Sequence, residues 1–279
     1  MLFASAPLAG RIERAEARLA ADGAAASDRR RPGRGAFALP IGGGFATFAG
    51  AASPLNKVAG LGFAGPVAES ELGAVEAAYA ERGCPVQVEL SCLADPSIGA
   101  LLTRRGYALV GFENVLGRLL PLETPPTPTD GIVVSPSPEN EVATWTDVVA
   151  TGFDSPDAQG VPSHEQYARE TVEAAIGDMA AAGVVRYLAR RDGRPAGGAS
   201  LRLSDGVAQL CGAATLPEHR RRGVQGALLA ARLDAAGRAG CDVAVVTTQP
   251  GSKSQENAQR RGFELLYTRA VLVRAPEPK

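Results

Sequence analysis

The sequence predicts an α/β (α+β) chain built as two similar halves, and three observations carry that prediction. In the second half, stretches of helical periodicity alternate with short β-branched runs. Two Asp-Gly pairs, Asp192-Gly193 and Asp205-Gly206, separate three of those runs. Such pairs suit hairpin turns, whose central residues take positive φ. The first half then repeats the back part of the second: strand, helix, strand, helix, turn, strand. Its Arg104-Arg105-Gly106-Tyr107 echoes Arg260-Arg261-Gly262-Phe263.

In chain order, residues 55–63 read as a strand. Residues 69–82 read as a helix, because Leu72, Val75 and Tyr79 fall at helical spacing. Residues 86–90 form a strand, 96–105 a helix and 107–118 a strand region. The segment 122–138, LETPPTPTDGIVVSPSP, is a linker whose prolines stop helices, interrupted by a short strand at 132–135. The domain boundary falls near Thr127, giving domains 1–126 and 127–279. Residues 139–152 and 163–182 read as helices joined by a loop at 153–162. Strands at 184–190, 195–203 and 207–216 follow, then a helix from about Val224 to Ala239. A buried strand at 243–247, a short helix at 254–261 and a last strand at 265–274 complete the chain.

Composition narrows the function. The chain has 279 residues, is 45% hydrophobic and carries a formal net charge of -1, which argues against a general nucleic-acid surface. Basic residues cluster at Arg29–Arg34 and Arg220–Arg222; the first cluster lies in a Gly/Ala/Pro-rich setting and reads as a flexible loop of little functional weight. Cys84, Cys92, Cys211 and Cys241 lack C-x-x-C spacing, and with only His164 and His219 beside them no metal site is expected. His164 is expected at a helix start or facing solvent, and His219 exposed beside the basic turn. No apolar run approaches membrane-spanning length and no signal peptide is evident, so a cytoplasmic protein away from membranes is expected.

The stretch LCGAATLPEHRRRGVQGALL, residues 210–229, carries the chemistry. A strand, a basic turn and a helix N-terminus in direct succession make an anion site. Free backbone N–H groups and the helix dipole favour negative charge there. Three arginines at a helix start oppose that dipole unless a polyanion accompanies them. Gly223 lets the backbone approach a bulky anion. The corresponding place in the first half reads Gly65-Pro66-Val67-Ala68-Glu69-Ser70-Glu71, whose carboxylates repel a pyrophosphate.

Arg220-x-x-Gly223-x-Gln225-Gly226, followed by Arg261-Gly262-Phe263 at the right separation, resembles the acetyl-CoA loop and closing turn of the GNAT N-acetyltransferases. Gln225 departs from the family's Gly or Ala. The resemblance covers residues 133–274. It implies two GNAT-like domains, the first degenerate, each a mixed, mostly antiparallel sheet flanked by helices. It implies acetyl transfer from acetyl-CoA, as co-substrate, to the amine of a small molecule, amino-acid derivative or peptide. By position, Ala213, Ala214 and Thr215 would hydrogen-bond the pantetheine arm. The pyrophosphate would lie on Arg220, Arg221, Arg222, Gly223, Val224, Gln225 and Gly226.

The acid and base are less legible. The family's tyrosine before the closing turn would fall on Ala258, beside Asn257. Asn257 and Ser254 could hydrogen-bond the CoA sulfur or arm, or be exposed helix residues. Tyr267 is a candidate substitute acid or a core aromatic. Glu113 interrupts an apolar strand; it could bind the acceptor ammonium or act as base in a cleft between the halves, or face outward from an edge strand. Cys211 reads as a core thiol. An acyl-CoA-binding sensor that has lost the acid is the alternative reading. Oligomeric state stays open, a homodimer included.

Overall fold

A computed structural model describes residues 2–122, 130–155 and 159–276; the division expected near residue 127 lies outside them. The first element, α1 (Ala6–Arg30), is one that periodicity does not predict. Its buried stripe is mostly alanine, so apolar contrast around the helix is weak, although alanine favours helix strongly. The Ser5 hydroxyl caps it, accepting from the Leu8 N–H at 3.3 Å. Arg30 and Arg31, expected in a flexible loop, instead pair with the fully buried carboxylate of Asp178.

The first half continues through β1 (Phe37–Ile41), β2 (Gly44–Phe48), β3 (Lys57–Ala59), α2 (Glu69–Ala80), β4 (Val86–Ser91), α3 (Pro96–Arg104) and β5 (Ala108–Leu119). The hairpin β1–β2 is a second element absent from the sequence expectation, and the strand expected over 55–63 shortens to β3.

The second half holds β6 (Ile132–Pro136), α4 (Val142–Phe153), α5 (Arg169–Ala181), β7 (Val185–Arg191), β8 (Arg194–Ser204) and β9 (Val207–Thr215). It ends with α6 (Val224–Arg238), β10 (Val243–Thr248), α7 (Lys253–Arg260) and β11 (Glu264–Arg274). Asp192, Gly193, Asp205 and Gly206 all have positive φ, as the two hairpin turns require. The helix expected from 163 begins only at Arg169; residues 159–168 instead run to the first half, where His164 Nε2 lies 3.0 Å from Gln87 Oε1.

All strands join one sheet in the order β1-β2-β3-β4-β11-β5-β10-β9-β8-β7-β6. The order is pseudo-symmetric. In each half a strand, a helix and a parallel strand succeed one another: β3, α2, β4 and β9, α6, β10. The last strand of each half then crosses over. β5 pairs antiparallel with β10 of the second half, and β11 pairs antiparallel with β4 of the first. The two exchanged strands pair with each other at the centre. The halves are therefore joined by continuous hydrogen bonding rather than separated by a cleft.

Alternation along the strands fixes the faces. Val115, Tyr267, Val207 and Val245 pack under α1, while Leu116, Leu228 and Phe263 pack with α6 and α7. Val86, Val88 and Leu272 pack under α2 and α3. Trp145, Val148 and Val149 of α4 meet Leu188 on the opposite face from α6.

Candidate active site

β9 and β10 pair only from Val207/Val243 to Gln209/Val245 and then diverge. Divergence is built into β9 by a bulge: the register to β8 shifts between Ser200/Cys211 and Gly198/Ala214, and Gly212 takes φ +53°. Beyond Thr215, Pro217–His219 makes a single 3-10 turn. Arg221 follows at φ +57° and Gly223, the N-cap of α6, at φ +87°. Gly223 has no side chain to cap the helix, so its first-turn N–H groups are not closed off by one. Val224 and Leu228 anchor the helix in the core behind the loop.

The three arginines divide their work. The guanidinium of Arg220 donates to the carbonyls of Thr215 (3.4 Å) and Gly152 (3.5 Å), and to that of Ser155. These last two carbonyls lie at the C-terminal end of α4, where the helix dipole favours a cation. Arg220 is thus the pin of the loop. Arg221 and Arg222 are exposed, and among the described residues neither has an ion-pair partner. Gln225, the departure from the motif, accepts from Asn257 Nδ2 at 2.6 Å and ties α6 to α7. A Cβ on Gly226 would lie 2.4 Å from Arg261 Nη2, so this guanidinium rests over the first turn of α6.

One cleft of about 1640 Å³ joins these parts. It is lined by residues 217–226, by Ala213 and Thr215, and by Ser254 and Asn257 of α7. It continues through the β9–β10 opening to Ile12, Glu16 and Leu19 of α1 and to Lys57, Gln209 and Arg269. The cleft therefore connects the loop with the face of the sheet covered by α1. Ala214 stands apart from the other strand residues: its side chain packs beside α4 and crowds Gly152, so only its main chain could serve a ligand.

Two expected catalytic residues lie elsewhere. A bulge between Leu265 and Tyr267 turns Tyr267 onto the α1 face. There it is 4% exposed and its hydroxyl donates to Glu13 Oε1 at 2.7 Å. Burial, then the Glu13 carboxylate, hold its phenol well above the ordinary range. Of the two readings the sequence leaves open for Tyr267, its position is that of a core aromatic, outside the residues lining the cleft. Glu113 points inward, 3.5 Å from Arg269 Nη1, and also lies outside the lining. Burial and the neighbouring Glu89 push it up to about 7, against the pull of Lys57 and Arg269. The expected inter-half cleft beside Glu113 is filled by β11.

Glu113 belongs to a buried charge cluster that the sequence does not reveal. Arg269, 1% exposed, donates through Nε to Glu13 Oε1 at 2.8 Å and lies 3.6 Å from Glu89 Oε2. Lys57 Nζ donates to Glu89 Oε1 at 2.5 Å. Burial works against Lys57's charge, but Glu89, Glu16 and Glu113 hold its ammonium well above the ordinary range. Cys211, expected in the core, is half-buried and lines the cleft, and burial pushes its thiol up to about 12. His219 is half-buried rather than exposed, and among the described residues its Nδ1 is without a hydrogen-bond partner.

In the first half the matching helix start is closed. Glu71 accepts from the Ala68 N–H at 3.0 Å, and Glu69 pairs with Arg104. A carboxylate already serves the α2 N-terminus in place of an external anion.

Comparison with known proteins agrees with this geometry. The model of the acetyltransferase (GNAT) family matches residues 152–263. A GCN5-related N-acetyltransferase from Kribbella flavida has a similar structure, with TM-score 0.61, 22% identity, and coverage of 91% of this chain and 95% of that one. A GCN5-related N-acetyltransferase from Sphaerobacter thermophilus gives TM-score 0.56, 17% identity, and coverage of 75% and 68%. A tandem GNAT protein from the clavulanic acid biosynthesis pathway gives TM-score 0.57, 13% identity, and coverage of 75% and 70%. No curated protein matches the sequence. The span from 152 to 263 that matches the GNAT acetyltransferase family model includes the β9 bulge, the arginine loop, α6, β10 and α7.

Proposed function

We propose that the chain transfers an acetyl group from acetyl-CoA to the primary amine of a small molecule, amino-acid derivative or peptide. The observation that carries this reading is the single cleft that runs from the uncapped start of α6, with Arg221 and Arg222 beside it, into the β9–β10 opening. A diphosphate on the loop would receive main-chain N–H groups of residues 223–226, with two guanidinium groups near it. A pantetheine arm extending into the opening would meet the β9 edge at Ala213–Thr215. Ser254 and Asn257 would stand on its other side. Asn257 also holds the bulkier Gln225 side chain through its Nδ2.

The chemistry asks for a neutral amine, a donor for the developing oxyanion and a route for two protons. In the transfer a C–N bond forms and the C–S bond breaks. One proton leaves the ammonium before attack. The other leaves the adduct and reaches the sulfur. Main-chain N–H groups at the β9 bulge are our candidates for the oxyanion donor. No tyrosine lines the cleft among the described residues, which favours the second reading, an acyl-CoA-binding module with little turnover. Thiol release from acetyl-CoA in the presence of primary amines separates the two. The transfer reading expects amine-dependent release, whereas binding with no release for any amine would leave the binding module.

A further inference from the structure

We infer that Glu16, carried by the first half on α1, is the carboxylate that receives the acceptor's ammonium, and that the acceptor is a cationic amine with no carboxylate beside the reacting nitrogen. This rests on the acetyl-transfer reading of the cleft and names the acceptor end of that same site.

The placement comes first. Gln209 is the last β9 residue paired to β10, so it stands at the apex of the opening between the strands. It lies on the α1 face, because Val207 two residues earlier packs under α1. Glu16 reaches it there: Gln209 Nε2 donates to Glu16 Oε2 at 3.2 Å. Both residues line the cleft. A reacting carbonyl held between the diverging strands would thus lie next to this pair.

Hydrogen bonding shows what is missing. Gln209 is 4% exposed, and among the described residues its Oε1 has no hydrogen-bond partner. A carboxylate can only accept, so its contact with Glu16 fixes which end of the amide is nitrogen. The pair therefore presents a free amide oxygen together with a carboxylate, all acceptors. A buried acceptor without a donor is destabilising, because it has given up its water and gained no partner. An ammonium carries three donors in a compact group and can serve both oxygens at once.

Charge gives the class. Around the acceptor end, Glu13, Glu16, Glu89 and Glu113 lie with Lys57 and Arg269; Arg232, which also lines the cleft, donates to the carbonyls of Leu228 (3.2 Å) and Ser200 (3.0 Å). Lys57 is held by Glu89, and Arg269 lies among Glu13, Glu89 and Glu113. Neither cation is left over for an anionic acceptor. The cluster has two more carboxyl groups than cations, and burial pushes two of them, Glu13 and Glu113, toward protonation, so a further cation stabilises their charged forms while an α-carboxylate opposes them. The apolar wall of Ile12, Leu19, Leu55 and Met179 would take the acceptor's carbon skeleton.

The step balances. Glu16 takes one proton from the ammonium and leaves a free amine. The amine's lone pair forms the C–N bond as the C–S bond breaks. The amine's second proton goes to the departing sulfur, and Glu16 returns its proton to water. Gln209 is a positioning residue, which holds the carboxylate through Nε2.

The test uses the full chain and two matched pairs of acceptors, tyramine against tyrosine and agmatine against arginine. Thiol release should favour the decarboxylated member of each pair by at least ~10-fold in kcat/KM. Glu16→Gln should lower kcat for the favoured amines by about 100-fold or more, in the range for loss of a general base. Its melting temperature and acetyl-CoA affinity should stay near wild type, and Glu16→Asp should recover part of the rate. Three outcomes overturn the inference: equal or better use of tyrosine and arginine, unchanged kcat in Glu16→Gln, or acetyl-CoA binding without acetylation of tyramine or agmatine. Each leaves acetyl-CoA binding by the loop standing. A wild-type chain that binds no acetyl-CoA would instead remove the transfer reading, and this inference with it.

Discussion

Gly223 offers the sharpest perturbation of the cleft, because it has two separable jobs. Sequence alone gives it one: to keep side-chain bulk away from an anion. The structure adds a second, since it caps α6 at φ +87°, a region where an L-residue is strained. Gly223→Ala should therefore cost about 1–2 kcal/mol of backbone strain. In a chain of this size that lowers the melting temperature by roughly 2–8 °C. The new methyl group would stand at the start of α6, where the diphosphate approaches the main chain. Loss of a single hydrogen bond to a charged group costs about 1.5–3 kcal/mol. That corresponds to roughly 10- to 150-fold weaker acetyl-CoA binding. Thermal melting paired with calorimetric titration reads both numbers. A lowered melting temperature with unchanged affinity would refute the assignment of the loop to the pyrophosphate.

The other arginines, the tyrosine and the buried glutamate give further expectations. Arg220→Met should lower stability by about 1–3 kcal/mol, because the Thr215, Gly152 and Ser155 carbonyls lose their donor; Arg222→Gln should weaken acetyl-CoA binding with little change in melting. If the two variants behave alike, the division between pin and contact fails. Tyr267→Phe should keep the thiol-release rate within about 2-fold, while stability falls by about 1 kcal/mol as Glu13 loses its phenol donor. A large loss of kcat at unchanged melting temperature would restore Tyr267 as the acid. Glu113 has its carboxyl pushed from 4.5 up to about 7 by burial and Glu89. Between those values the folded chain holds a proton that the unfolded chain has lost. Its contribution is thus fully present below about pH 4.5 and is lost as pH rises through about 7, on the order of 3 kcal/mol in all. Glu113→Gln should remove that loss, so its melting advantage over the parent should widen from pH 5 to pH 8; parallel curves would contradict the buried setting.

How much of this was legible in the sequence depends on how local each signal is. The Asp-Gly turns, β10 and the helix start at Val224 follow from local pattern, and the structure has them within one or two residues. α1 escaped because an alanine stripe gives little apolar contrast, although it is the lid of the acceptor end. The exchange of β5 and β11 escaped because periodicity says which face of a strand is buried and nothing about which edge it pairs with. That exchange is why Glu113 meets Arg269 instead of a cleft. A one-residue bulge at Leu266 likewise decides the side on which Tyr267 lies. Glu16 and Gln209 are 193 positions apart and meet only through the packing of α1 on β9.

One half of the pseudo-symmetric sheet should bind acetyl-CoA and the other should not. Arg221, Arg222 and the uncapped start of α6 stand on one side, and Glu69 and Glu71 at the start of α2 on the other. Calorimetric titration of acetyl-CoA into the full chain tests it directly. One site per chain is expected, abolished or strongly weakened by the double change Arg221→Glu and Arg222→Glu. Two equivalent sites, or one site that survives the double change, would contradict it.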